Sequence, residues 1–359
     1  MQFEDSIRYF QVRREQIKQN KTEYDPGGSL HRAPFWLKGS WDRGGIELKQ
    51  IDVIIPTYRP GHKFMELIER LSRQTVKAER IIVINTDKEY FDSLVYGSDI
   101  QNKHPELEVH HIRNSEFDHA ATRNEAVRKY SKAPVFVMMT QDAVPSDPYL
   151  LERLAGALDG NGSAVAYARQ LAGIRANPVE KYTRHFNYPA MASVKTRADK
   201  DRLGIKTYFC SNVCAAYDRE RFDLLGGFRA PAIFNEDMIY AADAINAGYS
   251  ITYAADAKVY HSHDYSGAQQ FRRNFDLAVS QAMHPEIFGD IRSEDEGSRY
   301  VTDTVNYLRR NGYERYVIPF IWVCGCRYAG YKLGMHYRML PEKMIMKCTM
   351  NRAYWERQI

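Results

Sequence analysis

The feature of this sequence that most constrains its fold is a repeated alternation of short strand-like runs with segments of helical periodicity. The run at 51–56 (IDVIIP) is rich in β-branched residues, and apolar side chains then recur at helical spacing over 64–71. Further strand-like runs lie at 81–84, 107–112 and 135–139, and further helical patterns lie at 122–130 and 149–158. Strands that alternate with helices predict an α/β fold, in which a mostly parallel sheet is flanked by helices on both faces.

Polar residues follow three of the predicted strands, at 57–60 (TYRP), 85–87 (NTD) and 140–142 (TQD). In an open parallel sheet, ligands bind beyond the carboxyl ends of the strands, so these positions predict a binding site. The chain contains neither a GxGxxG nor a Walker A sequence, which excludes the dinucleotide-binding and P-loop motifs.

The pattern after residue 158 is less regular. We expect a strand over 208–217, a helix over 236–247 that ends before Gly248, and short strands at 251–253 and 259–261. From residue 266 the pattern becomes mainly helical.

Three regions follow from these patterns: a preamble over 1–50, an α/β domain over 51–265, and a helical, basic C-terminal region over 266–359. The net charge of +5 is unevenly distributed among them. Residues 299–359 contain 11 Lys+Arg and 4 Asp+Glu, which gives this segment +7, whereas the preceding residues together carry −2. The excess positive charge therefore points to a partner of the C-terminal segment.

Cysteine usage and hydropathy bear on the location of the chain. Its 5 cysteines form no CxxC pair and no disulfide framework, which suits a reducing compartment and disfavours a zinc site. The first 21 residues lack the apolar stretch of a secretion signal, and no apolar run approaches a membrane span. We expect a cytoplasmic protein, which could lie at the inner face of the cell membrane. Nucleic-acid-binding motifs are absent, so nucleic acid is not an expected partner, and an oligomer is left open.

The C-terminal region also contains a ten-residue apolar run at 317–326 (VIPFIWVCGC), which is too short to cross a bilayer. Two interpretations fit this run. With its basic neighbours it could lie at an anionic membrane surface as a peripheral contact. Alternatively, it is a helix packed on the catalytic part of the chain.

Two groups of candidate metal ligands stand out. Asp142 directly follows a predicted strand, although it could instead cap a helix that begins near 147. The cluster at 261–264 (HSHD) follows another strand. Imidazole and carboxylate together suit a divalent cation, whereas the alternative is a polar turn whose histidines bond locally.

Acidic and basic residues also occur at two predicted helix starts. Glu236 and Asp237 could supply a general base, or they could simply favour the positive end of the helix dipole. Asp118 is placed to cap the helix that begins near 122. Arg123, on that helix, could bind a diphosphate or a sugar hydroxyl, and its alternative role is a surface ion pair.

The ordered motifs IIPTYRP, INTD, FDHAATRN, MTQDAVP, LLGGF, NEDM and VYHSHDYS resemble those of the inverting family 2 glycosyltransferases with the GT-A fold. The nearest resemblance is to bacterial rhamnosyltransferases of surface polysaccharide synthesis. It covers residues 51–266 and continues more weakly to 355. It implies a GT-A fold, which is Rossmann-like, followed by a mainly helical C-terminal region.

The resemblance also implies an activity. A sugar, with L-rhamnose from dTDP-rhamnose as the first candidate, would move from a nucleotide-sugar donor to a hydroxyl of a saccharide or lipid-linked saccharide acceptor. The displacement would be single and inverting. The alternatives are a sugar nucleotidyltransferase, and a non-catalytic subunit of a polysaccharide assembly that binds sugar nucleotides or acts as a scaffold.

Site residues are implied in the same way. Asp237 corresponds to the catalytic base, with Glu236 as the second candidate. Asp142 corresponds to the last acid of the DxD motif, whose first acid is replaced here by Thr140, and it would bind Mg²⁺ or Mn²⁺ with His261, or with His263 as the second choice. Donor-binding positions are Pro56, Thr57, Tyr58, Asp87, Asp118, Arg123 and Gln141.

Overall fold

The computed structural model describes residues 50–358 apart from 161, 264 and 290–293, and the predicted preamble over 1–50 lies almost wholly outside the described residues. Within this part of the chain, nine strands form one sheet. The strands are β1 (Ile51–Thr57), β2 (Arg80–Asn85), β3 (Leu107–His111), β4 (Val135–Met139), β5 (Val144–Pro145), β6 (Ser163–Leu171), β7 (Ser193–Lys195), β8 (Cys214–Asp218) and β9 (Ser250–Tyr260).

The sheet is mixed, with the strand order β3-β2-β1-β4-β8-β6-β9-β5 and with β7 beside β9. Strands β3, β2, β1 and β4 are parallel to one another, as the alternation of strands and helices predicts. Strand β8 pairs antiparallel with both β4 and β6, and β6 is parallel to β9. The predicted α/β fold is confirmed, and parallel pairing dominates its first half.

Helices occupy both faces of this sheet and the C-terminal region. They are α1 (His62–Ser72), α2 (Lys88–Val95), α3 (Ile100–Lys103), α4 (Ala121–Lys129), α5 (Leu150–Asp159), α6 (Pro178–Asn187), α7 (Lys200–Leu203), α8 (Arg219–Leu224), α9 (Glu236–Asn246), α10 (Gly267–Met283), α11 (Pro285–Phe288), α12 (Glu294–Arg310), α13 (Val317–Met335), α14 (Glu342–Cys348) and α15 (Arg352–Glu356).

Side-chain alternation along the strands creates two separate cores. In β1, Val53 and Ile55 pack with α1 and α5 on one face, whereas Ile54 packs with α4 and α9 on the other. All three side chains are fully buried. Strands buried on both faces read as continuous apolar runs, which is why the sequence of β1 shows no polar alternation.

Three predicted strands differ from the structure. The predicted strand at 208–217 exists only as Cys214–Asp218, because the backbone and side chain of Asn212 bond to acidic side chains of α9 instead of a neighbouring strand. The predicted strands at 251–253 and 259–261 are parts of the single strand β9.

The C-terminal helices pack around α10. Helix α13 lies against α10 so closely that a Cβ at Gly330 or Gly334 would collide with the backbone oxygen of Phe271 or Phe275. Helices α14 and α15 also pack with α10 in one apolar cluster, in which Trp355 is buried. The division between the predicted regions at 265 and 266 stays a prediction.

Candidate active site

The carboxyl ends of β1, β2 and β4 meet at one edge of the sheet, and polar groups cross-link them there. Gln141, just beyond β4, accepts a hydrogen bond from the backbone N–H of Tyr58 at 2.9 Å and donates to the Tyr58 carbonyl oxygen at 3.1 Å. Thr57 donates to the side-chain oxygen of Asn85 at 3.0 Å. Three predicted donor-binding residues, Thr57, Tyr58 and Gln141, therefore lie together, and Pro56 precedes them on β1.

Asp87 lies at the same edge and begins α2. Its carboxylate accepts from the backbone N–H of Tyr90 at 3.1 Å and from Arg59 Nε at 2.8 Å. The hydrogen bond from Arg59 is the main reason why the pKa of Asp87 lies below its ordinary value. The guanidinium of Arg59 also lies over the exposed Tyr58 ring, 5.4 Å from its centroid. This corner offers an aromatic face, a cation and an anion to a ligand.

The predicted metal ligands Asp142, His261 and His263 converge beside this edge. His261 Nε2 lies 3.6 Å from one oxygen of Asp142, and His263 Nε2 lies 3.5 Å from the other. The three candidate ligand atoms are all within 4.8 Å of one another. Burial lowers the pKa of both histidines, so both rings are neutral and carry a nitrogen lone pair. The donor set fits a divalent cation.

Gln170 fixes the orientation of one of these ligands, and the sequence patterns did not single it out. Its Oε1 lies 2.8 Å from His261 Nδ1, which places the proton on Nδ1 and leaves Nε2 free to face Asp142. Arg184 also donates to Gln170 Oε1, at 2.5 Å. The Gln170 amide in turn donates to Ser211 Oγ at 3.0 Å. A buried amide therefore sets the tautomer of His261.

Asp237 lies in the first turn of α9. Asn235, the residue just before the start of this helix, adopts a left-handed conformation with φ of 61°, which asparagine tolerates. The Asp237 carboxylate accepts from the backbone N–H groups of Asn212 and Met238, each at 2.8 Å. Burial and the neighbouring charge of Glu236 raise the pKa of Asp237 to about 7, so it can exchange a proton near neutral pH.

Glu236 stays ionised beside it. Although burial opposes ionisation, the guanidinium of Arg123 and the amide of Asn212 hold the pKa of Glu236 below its ordinary value. Glu236 Oε1 accepts from Asn212 Nδ2 at 3.0 Å and lies 3.4 Å from Arg123 Nη1. Arg123, predicted to bind the donor, is therefore a buried partner of Glu236, and its Nε has no hydrogen-bond partner within the described residues.

Asp118 occupies a different environment from the other predicted residues. Its buried carboxylate accepts from the backbone N–H groups of Ala120 and Ala121 at the start of α4 and from that of Ala232. Arg357 approaches it to 3.6 Å. Asp118 is not the N-cap residue itself, because the helix begins at Ala121 with Ala120 as its N-cap, but its carboxylate still binds the backbone N–H groups at this helix start.

Arg273 on α10 is a further residue that the sequence patterns missed. Its guanidinium lies 4.6 Å from the ring centroid of Phe234 and 5.9 Å from that of Tyr265. Burial lowers its pKa, and its charge acts on His261, His263 and Asp237. No carboxylate among the described residues forms an ion pair with it. Arg273 therefore brings positive charge near Asp237 and near the metal cluster, by which we mean the candidate ligands Asp142, His261 and His263.

Three comparisons relate this site to known proteins. A family model described as "Glycosyl transferase family 2" matches residues 52–226. The chain is 35% identical over 313 residues to the O-antigen chain rhamnosyltransferase RfbN of Salmonella typhimurium, which covers 85% of this chain and 96% of the relative. It is also 35% identical over 311 residues to the O-antigen chain rhamnosyltransferase WbaN of Salmonella anatum, with 84% and 95% covered.

Among solved structures, the chain resembles the mannosyltransferase PcManGT from Pyrobaculum calidifontis in complex with GDP-Man and Mn²⁺. The TM-score is 0.52 at 17% identity, and the match covers 89% of each chain. Likeness at this identity concerns the fold, which is shared over nearly the whole of both chains.

Proposed function

Because this chain belongs to glycosyl transferase family 2 and is an inverting glycosyltransferase, we propose that it transfers L-rhamnose from a nucleotide-linked rhamnose, such as dTDP-rhamnose, to a hydroxyl of a lipid-linked surface saccharide. The support for rhamnose is the pair of Salmonella relatives, whose printed names are O-antigen chain rhamnosyltransferases and which match this chain along nearly their whole length. The predicted GT-A fold and glycosyltransferase activity are both confirmed.

The observation that carries the mechanism is the pair of adjacent buried carboxyl groups at the start of α9, both held by Asn212, in which the pKa of Asp237 is raised to about 7. We assign Asp237 as the general base, whose pKa is raised by burial and by the charge of Glu236. Asp237 takes the proton of the acceptor hydroxyl while that oxygen forms a bond to the anomeric carbon. The bond from this carbon to the diphosphate oxygen breaks, its electron pair leaves with the nucleoside diphosphate, and the configuration inverts.

Asp142, His261 and His263 would hold the divalent cation. When bound, this cation supplies positive charge that offsets the charge of the departing diphosphate. Two imidazole nitrogens and one carboxylate suit Mn²⁺ better than Mg²⁺, because Mg²⁺ prefers oxygen ligands. Thr140, at the position of the first DxD acid, has a hydroxyl without a hydrogen-bond partner in the described residues and contributes no charge.

The donor would lie along the sheet edge between Asp87 and the metal cluster. In this proposal Tyr58, Asp87 and Gln141 contact the base and ribose, and Pro56 and Thr57 of β1 lie next to them. Arg273 is placed to meet the diphosphate, since it is a cation without an acidic partner in the part of the chain described. Arg123 and Asp118 contribute indirectly in this proposal. Arg123 pairs with Glu236, and Asp118 binds the backbone at the start of α4.

A peripheral contact with the inner face of the cell membrane is part of this proposal. Helix α13 packs one face on α10 but exposes Ile318 and Trp322, at 82% and 70%. Exposed basic residues, Arg315 and Lys332 among them, flank this face. An exposed apolar face with basic neighbours suits an anionic bilayer surface. None of the described helices is long and apolar enough to cross the bilayer itself.

The test is a panel of nucleotide sugars incubated with the full chain, Mn²⁺ and saccharide acceptors, read out by release of the nucleoside diphosphate. We expect the rhamnose donor to give the highest kcat/KM and Asp237→Asn to lose the release. A higher kcat/KM with another sugar would overturn the assignment of rhamnose. The same assay separates transfer from donor binding alone, because a non-catalytic subunit releases no nucleoside diphosphate.

A further inference from the structure

A cavity of about 480 Å³ opens between the carboxyl end of β6 and helix α6. Its lining is rich in nitrogen groups that carry or can carry positive charge: Arg169, Lys181, Arg184 and His185. The described lining contains no carboxylate. A cavity with this lining selects an anionic ligand.

The cations of the cavity are only partly neutralised by the protein. Arg184 Nε donates to Glu180 at 2.8 Å, so its charge is shared. Arg169 and Lys181 form no ion pair with the described residues, and Arg169 Nε is buried without a hydrogen-bond partner. An anion in the cavity would supply the opposite charge that Arg169 and Lys181 lack among the described residues.

Helix geometry brings the cations of α6 together. Arg184 and His185 follow Lys181 by three and four residues, which places all three on one side of α6. They line the cavity together with Arg169 and with Tyr188, which directly follows the helix.

The cavity shares a wall with the active site through Gln170. Gln170 lines the cavity, contacts His261 Nδ1 and donates to Ser211. The next residue, Asn212, donates its backbone N–H to the proposed base Asp237. Gln170 therefore separates a ligand in the cavity from the metal ligand His261, and Gln170, Ser211 and Asn212 together connect the cavity to the base.

We infer that this cavity binds the phosphate of a lipid-linked saccharide acceptor, an assignment that rests on the proposed function. The exposed side chain of Ile174 forms part of the rim and offers an apolar surface beside the cations. Helix α6 packs through Phe186 on Tyr300 of α12, which packs on Phe320 of α13. The cavity and the exposed apolar face of α13 thus belong to one packed set of helices, as a lipid-linked phosphate requires.

The first experiment titrates inorganic pyrophosphate into the full chain by calorimetry, with the donor site already filled by the nucleoside diphosphate. We expect binding to the wild type, and a Kd at least tenfold higher in Arg169→Gln/Lys181→Gln. Lys181→Gln alone should raise the Kd several-fold. Because Lys181 is exposed on α6, this variant should fold normally and so provides a test even if the double variant misfolds. The matched control is Arg128→Gln/Lys132→Gln, two exposed cations outside the cavity. Absence of pyrophosphate binding, or an equal Kd in all variants, overturns the inference.

The second experiment compares two acceptors, lipid-linked saccharides from source-cell membranes and the same saccharides released by mild acid. The ratio of their kcat/KM values should favour the lipid-linked form and fall at least tenfold in Arg169→Gln/Lys181→Gln, but not in the control. Weaker pyrophosphate binding with an unchanged ratio would mean that the cavity holds a free anion, which overturns the acceptor assignment. If the wild type transfers to neither acceptor, the proposed function fails, and the pyrophosphate titration still decides whether the cavity binds anions.

Discussion

The backbone N–H of Asn212 donates a hydrogen bond to the carboxylate of Asp237 at 2.8 Å, while the Asn212 side chain donates to Glu236 at 3.0 Å. One residue thus holds two adjacent carboxyl groups that differ in protonation. Glu236 stays charged beside Arg123, and its charge, together with burial, keeps the pKa of Asp237 near neutrality. Paired carboxyl groups with separated pKa values are the usual arrangement for a proton-transferring site.

Replacing the proposed base should remove catalysis and spare binding. We expect Asp237→Asn to lower kcat by about 10²- to 10⁴-fold, the usual contribution of a general base, with the donor Kd within about twofold of the wild type. The measurements are nucleoside diphosphate release and donor titration. Asp243→Asn, further along the same helix and paired with Arg229, serves as the control and should keep its kcat. Near-normal turnover of Asp237→Asn would show that another group takes the proton.

The pH profile tests the coupling of the two carboxyl groups. Only the ionised form of Asp237 accepts a proton, so kcat/KM should rise with pH and level off above the raised pKa of about 7. In Glu236→Gln the repelling charge is gone, so the pKa of Asp237 falls and the acidic limb of the profile should move to lower pH. A limb that stays in place, or moves to higher pH, would contradict the assignment of Asp237 as the titrating base.

The affinity of the metal cluster for Mn²⁺ can be lowered without replacing any of its three candidate ligands. In Gln170→Leu the acceptor for His261 Nδ1–H is lost, so the ring is free to rotate or to place its proton on Nε2. We expect the Kd of Mn²⁺, measured by electron paramagnetic resonance, to rise about 10- to 100-fold. Gln281→Leu, a buried glutamine of α10 that contacts Tyr331, is the control. Equal Mn²⁺ affinity in the wild type and Gln170→Leu would remove Gln170 from the site.

The sequence predicted those parts of the site that follow directly from strand ends. Asp87, Gln141 and Asp142 stand just after apolar runs, and the carboxyl edge of a parallel sheet brings such positions together. The parallel half of the sheet was predictable for the same reason, because strand-like and helical runs alternate regularly there.

Residues that act across long sequence separations could not be found in this way. Gln170 reaches His261 from 91 residues away, in a strand whose pairing with β9 is irregular just before it. Asn212 lies in an apolar stretch that reads as a strand, and only the position of α9 turns it away from strand pairing. The roles of Gln170 and Asn212 depend on where the tertiary fold places them, and no local sequence pattern marks either residue.

Close packing of α13 on α10 makes a prediction about stability. A Cβ at Gly330 would collide with the backbone oxygen of Phe271, so Gly330→Ala should lower the free energy of unfolding by about 1–3 kcal/mol or more. Gly325 lies on the exposed side of the same helix with no atom within 4 Å of an added Cβ, and Gly325→Ala should raise it by about 0.5–1 kcal/mol. Chemical denaturation measures both. Opposite signs are expected, and equal effects would mean that α13 does not pack on α10 as described.

The exposed face of α13 makes a prediction about membrane binding. Burying a large apolar side chain contributes about 1.5–3 kcal/mol, so loss of both Ile318 and Trp322 should lower the partition coefficient at least tenfold. The measurement is flotation of the full chain with vesicles containing anionic lipid, comparing the wild type with Ile318→Ser/Trp322→Ser. Met191→Ser, which removes another exposed apolar side chain outside α13, is the control and should float as the wild type does. Point variants are preferable to deletion of residues 299–359, because deletion would uncover α10.

Flotation of the double variant equal to that of the wild type would exclude this face as the membrane contact. High salt should weaken binding further, since the basic residues beside it act through screened charges.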